Sequence, residues 1–179
     1  VEVFDTPLDE ENDTEGLTYD PQKNDLWIAC KQSPKIGKKG KKNRAVYRYD
    51  LDTFMLDVEP RFKISRKAYG QFVKTYYKET AYYEKLRKAI KKAKKAVPIE
   101  PSAIALHPIT GDVYLLAATG NNLLVLDTEG EIKYLHYLPP DEYEQPEGIA
   151  FASNGDMYIS SEGKDQKAKI FRFAWISSL

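Results

Sequence analysis

One phrase is written three times in this chain, and it constrains the fold more than any other feature. The copies are Glu15-Gly-Leu-Thr-Tyr-Asp-Pro followed by Leu26-Trp-Ile-Ala, Ser102-Ala-Ile-Ala-Leu-His-Pro followed by Val113-Tyr-Leu-Leu, and Glu147-Gly-Ile-Ala-Phe-Ala-Ser followed by Met157-Tyr-Ile-Ser. Self-similarity at a spacing of tens of residues marks a repeat architecture. Aligned on Gly16, Ala103 and Gly148, each copy runs through an apolar strand, a turn rich in Asn, Gly, Asp or Pro, and an aromatic or β-branched second strand.

A third strand follows in each unit: Ala45–Asp50, Leu123–Asp127 and Lys169–Phe173. Fourth strands read as Phe62–Ile64 and Ile132–Tyr137, the latter strictly alternating. Four antiparallel strands per unit, with Ala103 and Gly148 45 residues apart, is the spacing of a β-propeller blade. A β-sandwich with similar turns is the competing architecture. Three blades are too few to close a ring, so the expectation is one domain over 1–179, the C-terminal part of a larger propeller. Val1–Phe4 then reads as the outer strand of a preceding blade.

Composition narrows the class further. Hydrophobic residues make up 42% of the chain, enough for a core, and no apolar run is long enough to span a membrane. The single cysteine, Cys30, excludes an internal disulfide framework and reads as a small core residue. His107 and His136 have no metal-ligand spacing. The net charge of zero conceals a segregation: 21 of the 27 Lys and Arg residues fall within 31–97, and 21 of the 27 acids fall outside it.

Two insertions carry that basic charge. Residues 31–44 form a lysine- and glycine-rich segment inside a hairpin, expected as a long mobile loop. It lacks the pattern of a phosphate-binding P-loop. Residues 66–97 replace β alternation by a helical period: Tyr69, Tyr76, Tyr83, Ile90 and Val97 recur every seven residues, with Phe72 and Leu86 between them. Lysines cover the remainder and Pro98 stops the helix; weak helix formers at Gly70 and Thr75–Tyr77 allow a break into two helices. Two readings stand. Either Tyr69, Phe72, Tyr76, Tyr83, Lys85, Lys88 and Lys92 form a docking surface for a protein partner or envelope component, or the tyrosine face packs on the propeller and the lysines are solvated. No nucleic-acid partner is expected.

The first strand of a propeller blade lines the central channel, so Glu15 and Glu147 are the candidate channel residues, with Ser102 as the odd member. Converging carboxylates need a cation between them, and calcium suits oxygen ligands, with Asp13, Glu144 and Glu162 near enough in sequence to assist. The structural alternative is that Glu caps backbone amides while Gly permits close packing near the axis. No nucleophile–base pair is visible; Ser160-Ser161-Glu162 lacks the nucleophile-elbow context, and no catalytic residue is assigned.

The phrases at Glu15–Asp20, Ile99–Tyr114 and Gln145–Gly163 resemble the SdiA-regulated (YjiK-like) domain family, most specifically in the pair Pro-Ser-Ala-Ile-Ala and Pro-Glu-Gly-Ile-Ala. The resemblance covers most of the chain outside the two insertions. It implies a six-bladed propeller related to NHL-repeat and phytase-like propellers, and an exported bacterial protein, periplasmic or anchored as an outer-membrane lipoprotein. It carries no established activity. The resulting expectation is a non-catalytic binding or scaffolding propeller of the cell envelope, with calcium as the possible cofactor at Glu15 and Glu147. The alternative is a cation-dependent hydrolase of phytase-like or lactonase-like kind.

Overall fold

A computed structural model describes residues 1–40, 42–164 and 167–176. The three repeats fold into three antiparallel sheets. The first contains β1 (Thr14–Asp20), β2 (Asp25–Cys30), β3 (Asn43–Asp50), β4 (Met55–Leu56) and β5 (Phe62–Ser65). Helices α1 (Arg66–Tyr76) and α2 (Tyr83–Lys92) follow. The second sheet has the order β6 (Ala103–Leu106), β7 (Val113–Ala117), β8 (Asn122–Leu126) and β9 (Ile132–Tyr137). The third contains β10 (Pro146–Phe151), β11 (Met157–Ser161) and β12 (Lys169–Phe173).

The inner strands pack side by side, with β6 between β1 and β10. That is the arrangement of propeller blades around an axis, and the three sheets do not close a ring. The strands lie where the repeat places them, because turns at Asp20–Asp25, Leu106–Val113 and Phe151–Met157 fix the first hairpin of each blade. Two details differ from expectation. The fourth strand of the first blade is split, with β4 pairing one end of β3 and β5 the other. Residues 1–13 contain no strand, so the expected outer strand at Val1–Phe4 is not formed; Phe4 stacks on Phe54 with ring centroids 4.7 Å apart. The third blade likewise has three strands among the described residues.

Apolar side chains fill the spaces between blades. Trp27, Phe62, Ile104, Leu115 and Leu124 bury together between the first and second sheets, and Leu116, Leu123 and Ile159 between the second and third. Cys30 lies in a smaller cluster with Ala45 and Tyr47, and burial pushes its thiol up to about 12, consistent with an inert core position.

The helical insertion joins the first of these cores. Ser65 caps α1 by accepting from the Ala68 N–H at 3.0 Å. The chain turns at Thr80, and α2 restarts with Glu84 in its first turn and Lys91 and Lys92 in its last, matching the helix dipole. Tyr69, Val73, Leu86 and Val97 are fully buried against the blades. Heptad spacing therefore marked the packed face. The break carries Tyr76 out of line, leaving it 67% exposed.

Residues 31–40 carry no strand or helix, as their composition predicts, yet they are tied down rather than loose, and Asn43 and Arg44 already belong to β3. The buried Asn12 amide donates to the carbonyls of Ser33 and Lys35, and the Tyr47 hydroxyl donates to Pro34 O at 3.0 Å. Lys39 pairs with Glu11 at 2.8 Å. Lys41 lies outside the described residues.

Candidate functional site

The motif glutamates occupy equivalent places. In the first blade the β1–β2 register jumps between Thr14 and Gly16; in the third, the β10–β11 register jumps between Pro146 and Gly148. Glu15 and Glu147 are thus the extra residues of two β-bulges, devices that re-aim a side chain at the end of a strand. The residue two positions earlier is left-handed in both cases, Asp13 at φ 51° and Gln145 at φ 49°. Its carbonyl accepts a backbone N–H from across the hairpin, Lys31 at 2.8 Å and Glu162 at 3.0 Å.

The middle blade lacks the bulge. Ser102 precedes β6, donates its N–H to Leu116 O at 2.8 Å, and reaches Pro146 O of the third blade with its hydroxyl at 3.2 Å. The glycine has a packing reason: a Cβ on Gly16 would lie 3.0 Å from both Ala29 Cβ and Ile104 Cγ2 of the next blade.

The carboxylates do not share a partner. Glu15 Oε1 lies 2.7 Å from Lys31 Nζ, and this hydrogen bond raises the lysine pKa. Asp13 and Glu100 add smaller favourable fields at Lys31. Glu100 in turn lies 3.8 Å from the buried guanidinium of Arg44, which donates to Ile99 O at 2.8 Å. Burial depresses the Arg44 pKa and Glu100 opposes that shift. A line of alternating charge, Glu15, Lys31, Glu100 and Arg44, therefore runs from the first motif toward the helical insertion. Glu147 accepts from Gln145 Nε2 at 3.3 Å. Where the first blade has Lys31, the third has Glu162. Among the described residues, no three His, Cys, Asp or Glu side chains are grouped so as to hold a metal ion.

Beside Arg44 and Glu100, a pocket of about 430 Å³ opens between α2 and the middle blade. Ala89 and Lys92 of α2, with Ala93 at its C-cap, form one wall and Tyr137 part of the other. Lys85 Nζ stands 5.3 Å from the Tyr137 ring centroid and 5.9 Å from that of Tyr82, within cation–π range. Of the side chains expected on a docking surface, Tyr69 is in the core, while Phe72 and Tyr83 are half-buried against it. Tyr76, Lys85, Lys88 and Lys92 remain exposed. Tyr69 and Tyr83 of the stripe face inward because that side of the helices meets the apolar space between the blades, while Tyr76 stays outside.

Lys31, Glu100 and Arg44 were missed by sequence reasoning. Glu100 had a usable signal: it precedes Ser102 by two positions, as Asp13 precedes Glu15. A second repeated feature was also missed. The aspartate at the entry to the second strand, its first residue in β2 and the residue before β7 and β11, is buried in every blade and meets a cation each time: Asp25 with Arg48 at 2.7 Å, Asp112 with Lys133 at 2.8 Å, and Asp156 with Arg172 at 2.7 Å. Both arginines come from third strands, opposite Trp27 and Tyr158. Val125 holds that position in the middle blade, so β9 supplies Lys133 instead.

A family model described as SdiA-regulated matches residues 66–165. No curated protein matches the chain. Among solved structures, a luciferin-regenerating enzyme is similar with a TM-score of 0.53 and 15% identity, over 92% of this chain and 45% of that one. A virginiamycin B lyase from Staphylococcus aureus aligns with a TM-score of 0.46 and 15% identity, over 90% of this chain and 42% of that one. The chain thus spans less than half the length of either. The first likeness is one of fold, and it agrees with propeller blades.

Proposed function

This chain belongs to the SdiA-regulated family, and we propose that it serves as a non-catalytic binding propeller whose ligand-facing end is the one bearing the Glu-Gly motifs. The Glu15–Lys31 ion pair carries this reading. A carboxylate at a bulge, held by the lysine that follows the neighbouring strand, is occupied in shaping the blade end and is not free to act as a general base. The concave space at the same end lies beside it, between α2 and the middle blade, where alanines leave room and Lys85 and Lys92 offer positive charge. Pockets of this size and mixed lining suit a small ligand.

Titration of small carboxylates and phosphate esters by calorimetry tests the reading, with Ala93→Leu as the pocket-filling variant. Saturable binding that Ala93→Leu removes supports it. Metal-dependent esterase or phosphatase turnover abolished by Glu15→Gln would sink it in favour of a hydrolase.

Calcium enters this proposal as a competitor. To reach Glu15 it must displace Lys31, so calcium-dependent thermal stabilisation lost in both Glu15→Gln and Glu147→Gln is the signature of an occupied channel. The envelope setting implied by the sequence resemblance is part of the same proposal, and fractionation of cells producing the full-length protein checks it. No helix among the described residues is long and apolar enough to cross a membrane.

A further inference from the structure

The two basic insertions, separate in sequence, meet in space. Lys42 from the first, Arg66 and Lys67 at the start of α1, and Lys94 and Lys95 beyond the end of α2 line one groove of about 570 Å³. Two hydrogen bonds hold them there. The Arg66 N–H donates to Lys42 O at 3.4 Å, and Arg66 Nη2 donates to Ile90 O at 2.8 Å. The first ties the hairpin segment to α1; the second ties α1 to α2. The four lysines are exposed, and none of the five cations forms an ion pair with an acid among the described residues.

The remaining lining residues are Asn43 and Ser65, so no carboxylate and no aromatic ring borders the groove. Five like charges brought together repel one another unless an anion intervenes. Lys94 adds a backbone cost: it is left-handed at φ 53°, just after the helix end, where glycine or asparagine is usual. A lysine there keeps a charge at the groove at the expense of an easier turn.

We propose that this groove, formed by Lys42, Arg66, Lys67, Lys94 and Lys95, is a binding site for clustered phosphate groups. Lysine ammonium groups are compact donors that meet phosphate oxygens from several directions. Clustered phosphates supply the several charges that five cations require. The missing aromatic platform disfavours single-stranded nucleic acid, whose bases need stacking surfaces. This site is distinct from the alanine-walled pocket, and its failure would leave the binding-propeller reading untouched.

The test uses sodium tripolyphosphate as probe, titrated into the whole protein by calorimetry, with sulfate and polyglutamate as comparison anions. The expected result is saturable binding at one site. Lys42→Gln with Lys67→Gln, and Lys94→Gln with Lys95→Gln, should each weaken it by about tenfold or more. Lys78→Gln, outside the groove, should leave it within about twofold. Lys94→Gly is the decisive variant: it relaxes the left-handed turn, so thermal stability holds or rises while affinity falls. Vesicles of phosphatidylcholine with phosphatidic acid distinguish the source. Vesicle binding that tripolyphosphate competes away assigns a lipid headgroup, and tripolyphosphate binding without vesicle binding assigns a free anion. Tripolyphosphate affinity no better than that of sulfate or polyglutamate, or unchanged in both double variants, overturns the proposal.

Discussion

The imidazole of His107 lies 4.3 Å, centroid to centroid, from the indole of Trp175, joining the hairpin turn of the middle blade to the segment after β12. Its Nδ1 accepts from the Ile109 and Thr110 N–H groups at 3.3 and 3.2 Å, so Nε2 carries the proton of the neutral ring. Burial lowers the His107 pKa below its ordinary 6.5. The folded protein therefore refuses a proton that the unfolded chain accepts, and stability falls as pH drops below about 6.5. Thermal unfolding followed from pH 7 to 5 should show this loss. His107→Asn, which keeps an acceptor near Nδ1, should make the decline shallower without abolishing it, because burial lowers the His136 pKa as well.

Asp156 acts in the same direction for a different reason. The Trp175 N–H and the Arg172 guanidinium hold its carboxyl below the usual carboxylate range. The folded pKa is depressed, so the contribution is present above the unfolded value and disappears as pH falls through the folded one. Asp156→Asn should leave a shallower decline in melting temperature below pH 4 than the parent shows, measured at constant ionic strength.

Close packing at the axis distinguishes the two motif glycines. Gly16 faces Ala29 and backbone and side-chain atoms of Ala103 and Ile104, none of which can swing aside. Gly148 faces the Ser160 hydroxyl, which can rotate. Gly16→Ala should cost about 1–3 kcal/mol in denaturant unfolding, and Gly148→Ala should cost less. Equal costs would contradict the inter-blade contact described at Gly16.

The helical insertion belongs to the core. Leu86 is fully buried, and Leu86→Ala should destabilise the protein by about 2–5 kcal/mol. Lys88→Gln on the exposed side of α2 should change stability by about 0.5 kcal/mol or less. If both substitutions are neutral in urea unfolding, the insertion does not fold with the blades.

Much of the architecture was legible because the signals are local. Gly111-Asp112 and Gly155-Asp156 announce hairpins, and the alternation through Ile132–Tyr137 announces an outer strand. The heptad tyrosines correctly marked a helical face, but periodicity alone cannot say whether that face meets a core or a partner. Tyr69 and Tyr76 share the period and end in opposite environments. The line from Glu15 to Arg44 was illegible for another reason: its members come from β1, β3 and the segments after β2 and before β6, and only the fold sets Lys31 beside Glu15 and Arg44 beside Glu100. The same holds for the cationic groove, whose charges were visible as two separate tracts.

The buried aspartates differ in what holds them. Guanidinium groups anchor the first and third blades, while an ammonium, Lys133, anchors the middle one. An amine can be acylated and an arginine side chain, under the same reagent, cannot. The middle blade is therefore the one whose aspartate has a partner, exposed at the surface, that is open to covalent erasure. Mild acetylation followed by peptide mapping would read out, as the reactivity of Lys133, how often that blade loosens its grip on Asp112.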